Sequence, residues 1–359
     1  MEQLNRWYKE LIRLSETDYK KTDSELYNFY KDALKLLKIE IKQYIDEYET
    51  LSFSKQLEAE RLIKVADRVD EILTDLNKKS GSIIRQHIDH EFKAGYFGTW
   101  YALEGAENIT LDFNMISERY IEELINKPVA YKTLSKRLYE SRAKLAKTVT
   151  NELKMAALRG DGYAKVAKNV AELTEADYKQ ALRIARTEGG RVQSSGKQKA
   201  YKEADKKGVQ MQKRWLSTLD KKTRYSHQIL DGQTVNVDEQ FVFEGHEAEG
   251  PRLFGRASLD INCRCTTIAV VNGIAPEVRK DNLTGARITY TTYNDWYKSK
   301  SVQEVIGKQK YADYVSKLSK KYKTNNFSKL LDKMSDKDYE ELSVIDVTGT
   351  AVEIIKRKE

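Results

Sequence analysis

The chain has 359 residues, of which 63 are Lys or Arg and 55 are Asp or Glu, giving a formal net charge of +8. Hydrophobic residues make up 40% and charged residues 33%, which is enough for folded cores but leaves much of the chain facing water. The two cysteines are separated by a single residue, which excludes a secreted disulfide scaffold. No stretch approaches the roughly 18 apolar residues of a membrane span, and the N-terminus lacks the apolar region of a signal peptide. We therefore expect a protein that is made and used in a cytoplasm, or in a particle assembled there, with room for two or three domains.

The positive and negative charges are interspersed along nearly every helical segment. Such a pattern is typical of solvated helix surfaces. The alternative is a face that contacts the phosphates of nucleic acid, which requires basic residues to cluster on one side.

The N-terminal region has apolar residues at spacings of three and four, the period of an amphipathic helix. A capping-box pattern at residues 22–25 predicts the start of a helix that runs to about residue 51. A second apolar stripe at 62–76 predicts a helix that ends near Ser80 and Gly81. The short link at 52–54 predicts that the two pack as an antiparallel hairpin.

Helical periodicity continues through most of the next part of the chain. Pro128 and the Arg-Gly-Asp-Gly sequence at 159–162 predict breaks. The predicted helices are 83–92, 115–125, 134–158, 163–173 and a long one beginning at Thr174 and ending near Lys207.

The sequence changes character near Gly208. Alternating or β-branched runs at 209–215, 233–237 and 266–271 predict short strands, and Asp231-Gly232 predicts a turn with a positive φ at the glycine. Beyond Pro276 the tail is polar and mostly helical, with a short strand pair predicted at 343–347 and 351–355.

The predicted fold class is therefore α+β, predominantly α. A long N-terminal helical hairpin or bundle precedes a small α+β domain with short strands and a mostly helical C-terminal tail. The predicted divisions are 1–128 (elongated helical region), 129–207 (helical region leading into the core motif), 208–275 (small α+β core) and 276–359 (C-terminal extension).

An ordered set of motifs lies between residues 183 and 265. It comprises a Trp-Leu-Ser-Thr-Leu-Asp stretch ending at Asp220, then Arg224, His227 and the Asp231-Gly232 turn, and it closes with Asn-Cys-Arg-Cys at 262–265. An Arg-Thr-Glu sequence at 186–188 precedes it in a helix. This arrangement resembles the Mu F-like minor head (head-morphogenesis) proteins of tailed bacteriophages over roughly residues 130–300.

The motif residues suggest an architectural polar network and not a catalytic centre. Asp220 can bond its own neighbouring backbone or pair with Arg224. Arg264 points away from the two cysteines beside it and is expected to pair with a carboxylate such as Glu188. The predicted network contains Arg186, Glu188, Asp220, Arg224, His227, Asp231, Gly232, Asn262 and Arg264.

Four side chains have the chemistry of zinc ligands, namely His227, His246, Cys263 and Cys265. The alternative is two cysteines buried in a small core, with a histidine satisfied by a backbone carbonyl. No other cofactor is predicted. His87 and His90 also form a conceivable metal pair on a helix, but we interpret them as part of a helix surface.

The family resemblance implies a head-morphogenesis protein of the procapsid or virion interior, synthesised in the bacterial host cytoplasm. Its implied partner is the portal protein, with scaffold and major capsid protein as further partners and a non-specific contact with packaged DNA. The runner-up is a nuclease or toxin-like enzyme centred on His227, with Asp220, Arg224 and Arg264 around it. A third interpretation is an internal DNA-binding protein.

Overall fold

The computed structural model describes residues 2–49, 55–107, 115–129, 131–159, 161 and 163–324, together with residues 330, 333, 335 and 338. The predicted strand pair at 343–347 and 351–355 and the predicted link at 52–54 lie outside these residues. Five helices come first, then a region of short strands with two short helices, and then one long helix. The helices are α1 (Glu2–Glu49), α2 (Lys55–Glu107), α3 (Glu118–Asn126), α4 (Leu134–Arg159), α5 (Tyr163–Lys206), α6 (Tyr225–Leu230), α7 (Ala257–Asp260) and α8 (Tyr293–Lys321).

The long helices and short strands confirm the predominantly α, α+β class that the sequence predicts. The described residues form two compact units. The first unit comprises Met1–Trp215 and Thr234–Ala275, and the second comprises Leu216–Gln233 and Pro276–Glu359. No helix among the described residues has the length and apolar character that a membrane span requires.

The first unit is built around α2, which packs against α1, α4 and α5. The apolar stripe of α1 lies in this core, where Leu26, Leu37 and Ile41 are fully buried. Burying a side chain of this size stabilises the fold by about 1.5–3 kcal/mol. The stripe that predicted the helix is thus an internal face of the bundle.

Glycines allow the helices α2 and α5 to approach each other closely. A Cβ on Gly95 would lie 2.4 Å from the carbonyl oxygen of Gln193, and one on Gly196 would lie 2.9 Å from the carbonyl oxygen of Phe92. Only residues without a side chain fit at these two positions, because such distances are below van der Waals contact.

Three predicted helix boundaries are wrong. α1 begins at Glu2 and not at the capping box, and Thr22 is 4% exposed in the middle of the helix. α2 continues through Gly81 to Glu107, so that 62–76 and 83–92 belong to one helix. α5 continues through Thr174, whose hydroxyl donates to the carbonyl of Val170 at 2.8 Å.

Each of these sequence signals is compatible with a helix interior. A capping pattern has no effect where the preceding turn is already helical, and one glycine costs about 1 kcal/mol relative to alanine. Tertiary burial exceeds that cost. The other two predicted breaks are confirmed: Pro128 lies between α3 and α4, and the 159–162 sequence lies where α4 ends at Arg159 and α5 begins at Tyr163.

A three-stranded sheet of the first unit has the order β2-β1-β5, with β1 (Met211–Leu216), β2 (Thr234–Asn236) and β5 (Thr266–Val271). β1 and β2 are antiparallel, with Lys213 opposite Val235. β3 (Phe241–Phe243) and β4 (His246–Ala248) form a separate hairpin. The three predicted strands are confirmed, whereas β3 and β4 were not predicted.

The second unit contains α6, α8 and the antiparallel hairpin of β6 (Val278–Lys280) and β7 (Arg287–Thr289). Its small apolar cluster comprises Leu219, Tyr293 and Trp296. The N-cap residue of α8 is Thr292, whose side-chain oxygen accepts from the backbone N–H of Asp295 at 3.2 Å. This N-cap satisfies one of the free amides of the first turn.

Candidate functional site

The Arg-Thr-Glu sequence of α5 is joined to the loop that follows α7. The Arg186 guanidinium donates to the side-chain carbonyl of Asn262 at 2.9 Å, and the backbone N–H of Asn262 donates to the Thr187 hydroxyl at 2.9 Å. Arg186 also stacks on the ring of Tyr19, 4.7 Å from its centroid. Asn262 has a φ of +55°, a backbone conformation that asparagine tolerates better than most residues. The structure thus brings together the first and last motifs of the sequence.

Glu188 lies at the centre of a buried charge cluster. Its carboxylate is 3.2 Å from Arg191 and 3.3 Å from Arg137, and its side chain is 1% exposed. Burial raises the pKa of this carboxyl, and the two arginines oppose that rise. The arginines of α4 and α5 lie beside this carboxylate, and the pairing of Glu188 with Arg264 stays a prediction.

Two buried cations of the first unit were missed by sequence reasoning. Lys213 is fully buried and donates to the side chain of Gln198 at 3.1 Å and to the carbonyl of Glu249 at 3.0 Å. Arg252 donates to the carbonyl of Cys265 at 3.2 Å. The burial of Lys213 could have been predicted from the alternation of β1. This strand places Lys213 on the same buried face as Met211 and Trp215.

The Asp231-Gly232 turn holds the second unit together. Both Asp231 oxygens lie 3.0 Å from the Arg279 guanidinium, and these side chains are 0% and 1% exposed. The Asp231 carboxylate also accepts from the backbone N–H groups of Ser217 and Tyr293, each at 2.6 Å. Gly232 has a φ of +85°, as predicted for the turn. Sequence reasoning found Asp231 but missed Arg279, which lies 48 residues away.

Asp220, Arg224 and His227 also lie in the second unit. The Asp220 carboxylate accepts from the backbone N–H of Lys222 at 2.9 Å, which is the local backbone bond that the sequence predicts. Arg224 is the N-cap residue of α6. His227 is 2% exposed, and its carbonyl accepts from the Ser217 hydroxyl at 2.5 Å.

The predicted zinc ligands are divided between the two units. Cys263 and Cys265 are buried in the first unit and form no disulfide, and the half-buried Arg264 lies between them in the sequence. His246 lies in β4, opposite Phe243. His227 belongs to the second unit. A zinc ion held by these four residues stays a prediction.

The interpretation of His87 as a helix-surface residue is wrong. It is 3% exposed, and its Nδ1 lies 2.7 Å from a carboxylate oxygen of Asp18 on α1. His90 is exposed, and its Nδ1 lies 3.1 Å from the other oxygen of Asp18. The hydrogen bonds from both imidazoles hold the pKa of Asp18 below its usual value against the effect of burial.

Comparison with known proteins gives a family match in the middle of the chain. Residues 147–268 match the family described as phage Mu protein F like protein. The chain is also 28% identical over 299 residues to "Minor head protein GP7" of Bacillus phage SPP1, covering 81% of this chain and 97% of that protein.

The chain is thus similar to the Mu F-like minor head proteins, and the family match itself covers residues 147–268.

A second relative of this Mu F-like chain has a different name. The chain is 49% identical over 297 residues to "NAD(+)--arginine ADP-ribosyltransferase EFV" of Enterococcus faecalis (strain ATCC 700802 / V583), covering 83% of this chain and 61% of that protein. This chain therefore spans about three fifths of the length of that relative. No solved structure is significantly similar to the chain.

The predicted motif residues of the Mu F-like chain all lie inside the matched segment 147–268. The Arg279 partner of Asp231 lies outside it, as do Asp18, His87 and His90. The segment that matches the family thus contains the predicted polar network but not Arg279, which pairs with one of its members.

Proposed function

We propose that this chain is a minor head protein of a tailed phage, incorporated in the procapsid interior in association with the portal. The observation that carries the proposal is the similarity to the SPP1 minor head protein, which extends over 97% of that protein. A similarity of that extent is expected when the two chains share their whole architecture. Synthesis would take place in the host cytoplasm, with scaffold and major capsid protein as further partners.

The surface that contacts the portal should differ from the apolar stripe of α1. That stripe is buried against the bundle, and Leu37 at its centre is 0% exposed. Docking would therefore use the outer surface of the long helices.

A contact with packaged DNA is the second part of the proposal, and the charge of α4 supports it. This helix carries seven Lys and Arg against two Glu, a net charge of +5. By contrast, α1 carries nine Lys and Arg against eleven Asp and Glu, a net charge of −2. The charges that look evenly mixed in the sequence are thus unevenly divided among the helices.

The basic residues of α4 also share one face. Residues 136, 144, 147 and 154 are exposed lysines at helical spacings of eight, three and seven, which brings them to the same side. Such a row can follow a phosphate backbone without reading its sequence.

The location of the protein is tested by quantifying it in purified procapsids and mature virions made from the genome that encodes it. We expect a fixed low copy number per particle and co-purification of the chain with portal protein. Absence from both particles, with the protein found free in the host cytoplasm, would reject the proposal.

The DNA contact is tested with a matched pair of double charge reversals. Lys144→Glu with Lys147→Glu should lower the affinity for double-stranded DNA and flatten its dependence on salt, because fewer counterions are released on binding. Lys31→Glu with Lys35→Glu, on the acidic helix α1, should leave both unchanged. Equal effects of the two variants would show that α4 is not the DNA-binding face.

Enzymatic activity is the competing function, favoured by the name of the Enterococcus relative. We propose that this chain acts by binding and assembly, and the burial of His227 argues against a nuclease centred on that residue. The chain should then neither transfer ADP-ribose from NAD+ to an arginine acceptor nor cleave RNA or DNA. Cleavage by the parent protein that disappears in a folded His227→Ala variant would establish the nuclease interpretation instead.

A further inference from the structure

A cluster of metal-ligand side chains lies where α1 crosses α2, outside the segment that matches the family. Asp18 projects from α1, and His87, His90 and Glu91 project from α2. Spacings of three and four bring the α2 residues to one side of the helix. The sequence His-Ile-Asp-His-Glu therefore directs two imidazoles and a carboxylate toward one neighbouring helix.

The donor atoms converge on the Asp18 carboxylate. His87 Nδ1 lies 2.7 Å from one oxygen, and His90 Nδ1 lies 3.1 Å from the other. One donor atom from each of Asp18, His87 and Glu91 lies within 4.8 Å of the other two. Asp18, His87 and Glu91 thus form a group of three convergent ligand atoms, and His90 contacts the second oxygen of the Asp18 carboxylate.

Neighbouring residues of α5 hold two of these ligands in place. A Cβ on Gly189 would lie 2.7 Å from His87 Nε2, so the glycine provides the space in which the imidazole ring fits. The side-chain amide of Gln193 donates to Glu91 at 2.5 Å. Metal ligands in proteins are commonly oriented by such outer contacts. Here the contacts leave His87 Nδ1 as the nitrogen that faces Asp18.

We propose that Asp18, His87 and Glu91 bind a divalent transition-metal ion, with zinc as the ion that fits best, and that His90 is a positioning residue that holds the Asp18 carboxylate. Imidazole nitrogen and carboxylate oxygen suit zinc, whereas calcium and magnesium prefer oxygen ligands alone. Two ligand atoms on one tetrahedral zinc stand about 3.3 Å apart, given metal–ligand distances of about 2.0–2.1 Å. His87 Nδ1 and Asp18 Oδ2 would need to separate by only about 0.6 Å to admit the ion.

The ion would fasten α1 to α2 on the side where His90 is exposed. Because it binds the folded bundle and bridges two helices, it would stabilise the first unit by mass action. Its histidine and carboxylate ligands differ from the thiolates expected at Cys263 and Cys265. The two metal sites can therefore be distinguished by spectroscopy.

The test is a cobalt and zinc titration of the full chain after chelator treatment, comparing the parent with Asp18→Asn. We expect the parent to bind one more metal ion per chain than the variant. The difference cobalt spectrum should show visible bands without the near-ultraviolet charge transfer of a thiolate ligand. Zinc should raise the melting temperature of the parent by more than that of Asp18→Asn.

Two further variants separate metal binding from loss of structure. His90→Gln, at an exposed position, should weaken zinc binding by on the order of tenfold while the helical content stays unchanged. Asp23→Asn, on the same helix and bonded instead to the Tyr178 hydroxyl, should bind the same amount of metal as the parent. The proposal fails if the parent binds no metal with nitrogen and oxygen ligands, or if His90→Gln and Asp23→Asn bind it equally well.

Discussion

At the scale of single residues, buried charges are the features that organise both units. Arg279 and Asp231 form an ion pair whose side chains are 1% and 0% exposed. The Arg279 guanidinium also donates to the carbonyls of Ser217 and Thr291. Removal of the arginine would leave a buried carboxylate and two carbonyls without this donor. Removing one partner of the pair is therefore expected to destabilise the protein more than replacing both partners by apolar residues.

Arg279→Ala should therefore destabilise the second unit by about 3–5 kcal/mol. Arg287→Ala is the matched control, because Arg287 faces Lys280 on the same β6–β7 hairpin and is exposed. Hydrogen exchange of the hairpin amides measures the difference. Equal exchange rates in the two variants would contradict the structural role of the pair.

Lys213 gives the first unit a predictable response to pH. Burial lowers the pKa of its ammonium group to about 8, whereas an unfolded lysine titrates near 10.4. Between these values the unfolded chain binds more protons, so stability should rise as the pH increases from about 8 toward 10. Lys197 is buried, and its pKa is also lowered to about 8, so it contributes in the same direction.

Lys213→Met should reduce this rise, because it removes the group that loses its proton on folding. The free energy of unfolding is measured by urea denaturation at several pH values from 7 to 10. Lys202→Met, which removes a surface ion pair with Glu249, is the control and should retain the rise. A slope as steep in Lys213→Met as in the parent would contradict the assignment.

At the scale of secondary-structure elements, the position of a residue around its helix decides what that residue does. Leu36 and Leu37 are neighbours on α1, yet they are 50% and 0% exposed. The buried one faces the other helices of the bundle. The apolar stripe thus serves the internal core of the first unit.

Leu37→Asp should unfold or strongly destabilise the first unit, by several kcal/mol, because it places a carboxylate in an apolar core. Leu36→Asp makes the same chemical change one residue earlier and should cost less than about 1 kcal/mol. Thermal melts followed by circular dichroism compare the two. Similar melting temperatures would mean that the stripe is not a core face.

The close crossing of α2 and α5 can be tested by comparing two glycine substitutions within α2. Gly95→Ala would bring a Cβ to 2.4 Å from the Gln193 carbonyl oxygen, so the helices must move apart at a cost of about 1–3 kcal/mol. Gly81→Ala meets Leu138 at an ordinary 3.4 Å and should be neutral or stabilising by up to about 1 kcal/mol. Urea midpoints test the order, and a Gly95→Ala variant as stable as Gly81→Ala would contradict the close crossing.

At the scale of the whole molecule, the zinc ligation that the sequence predicts for Cys263, Cys265, His227 and His246 stays a prediction, and the two cysteines of the first unit make it testable. Cys263→Ser should lower the zinc content by about one ion per chain and remove the thiolate band from the cobalt spectrum. The same variant should also destabilise the β2-β1-β5 sheet. His90→Gln is the control, since it should affect only the site on α1 and α2. Folded, metal-free protein with an unchanged sheet would reject the cysteine site.

The sequence by itself determined the helical character of the first half, the three principal strands and the resemblance to the Mu F-like proteins. These features depend on local patterns: a period of three to four residues, β-branched runs, and motifs whose members lie in order along the chain. The Asp231-Gly232 turn is the clearest example, because an Asp-Gly pair carries its preferred backbone geometry in its own chemistry.

The tertiary structure alone decided where the helices end and which charges meet. Gly81 and Thr174 have the composition of helix ends but are helix interiors, because burial against neighbouring helices exceeds their weak local preferences. The Arg279–Asp231 pair and the Asp18–His87 contact join residues 48 and 69 positions apart. No local pattern encodes such a pairing, since it depends on how folding brings distant segments together and on the cost of leaving a buried charge unpaired.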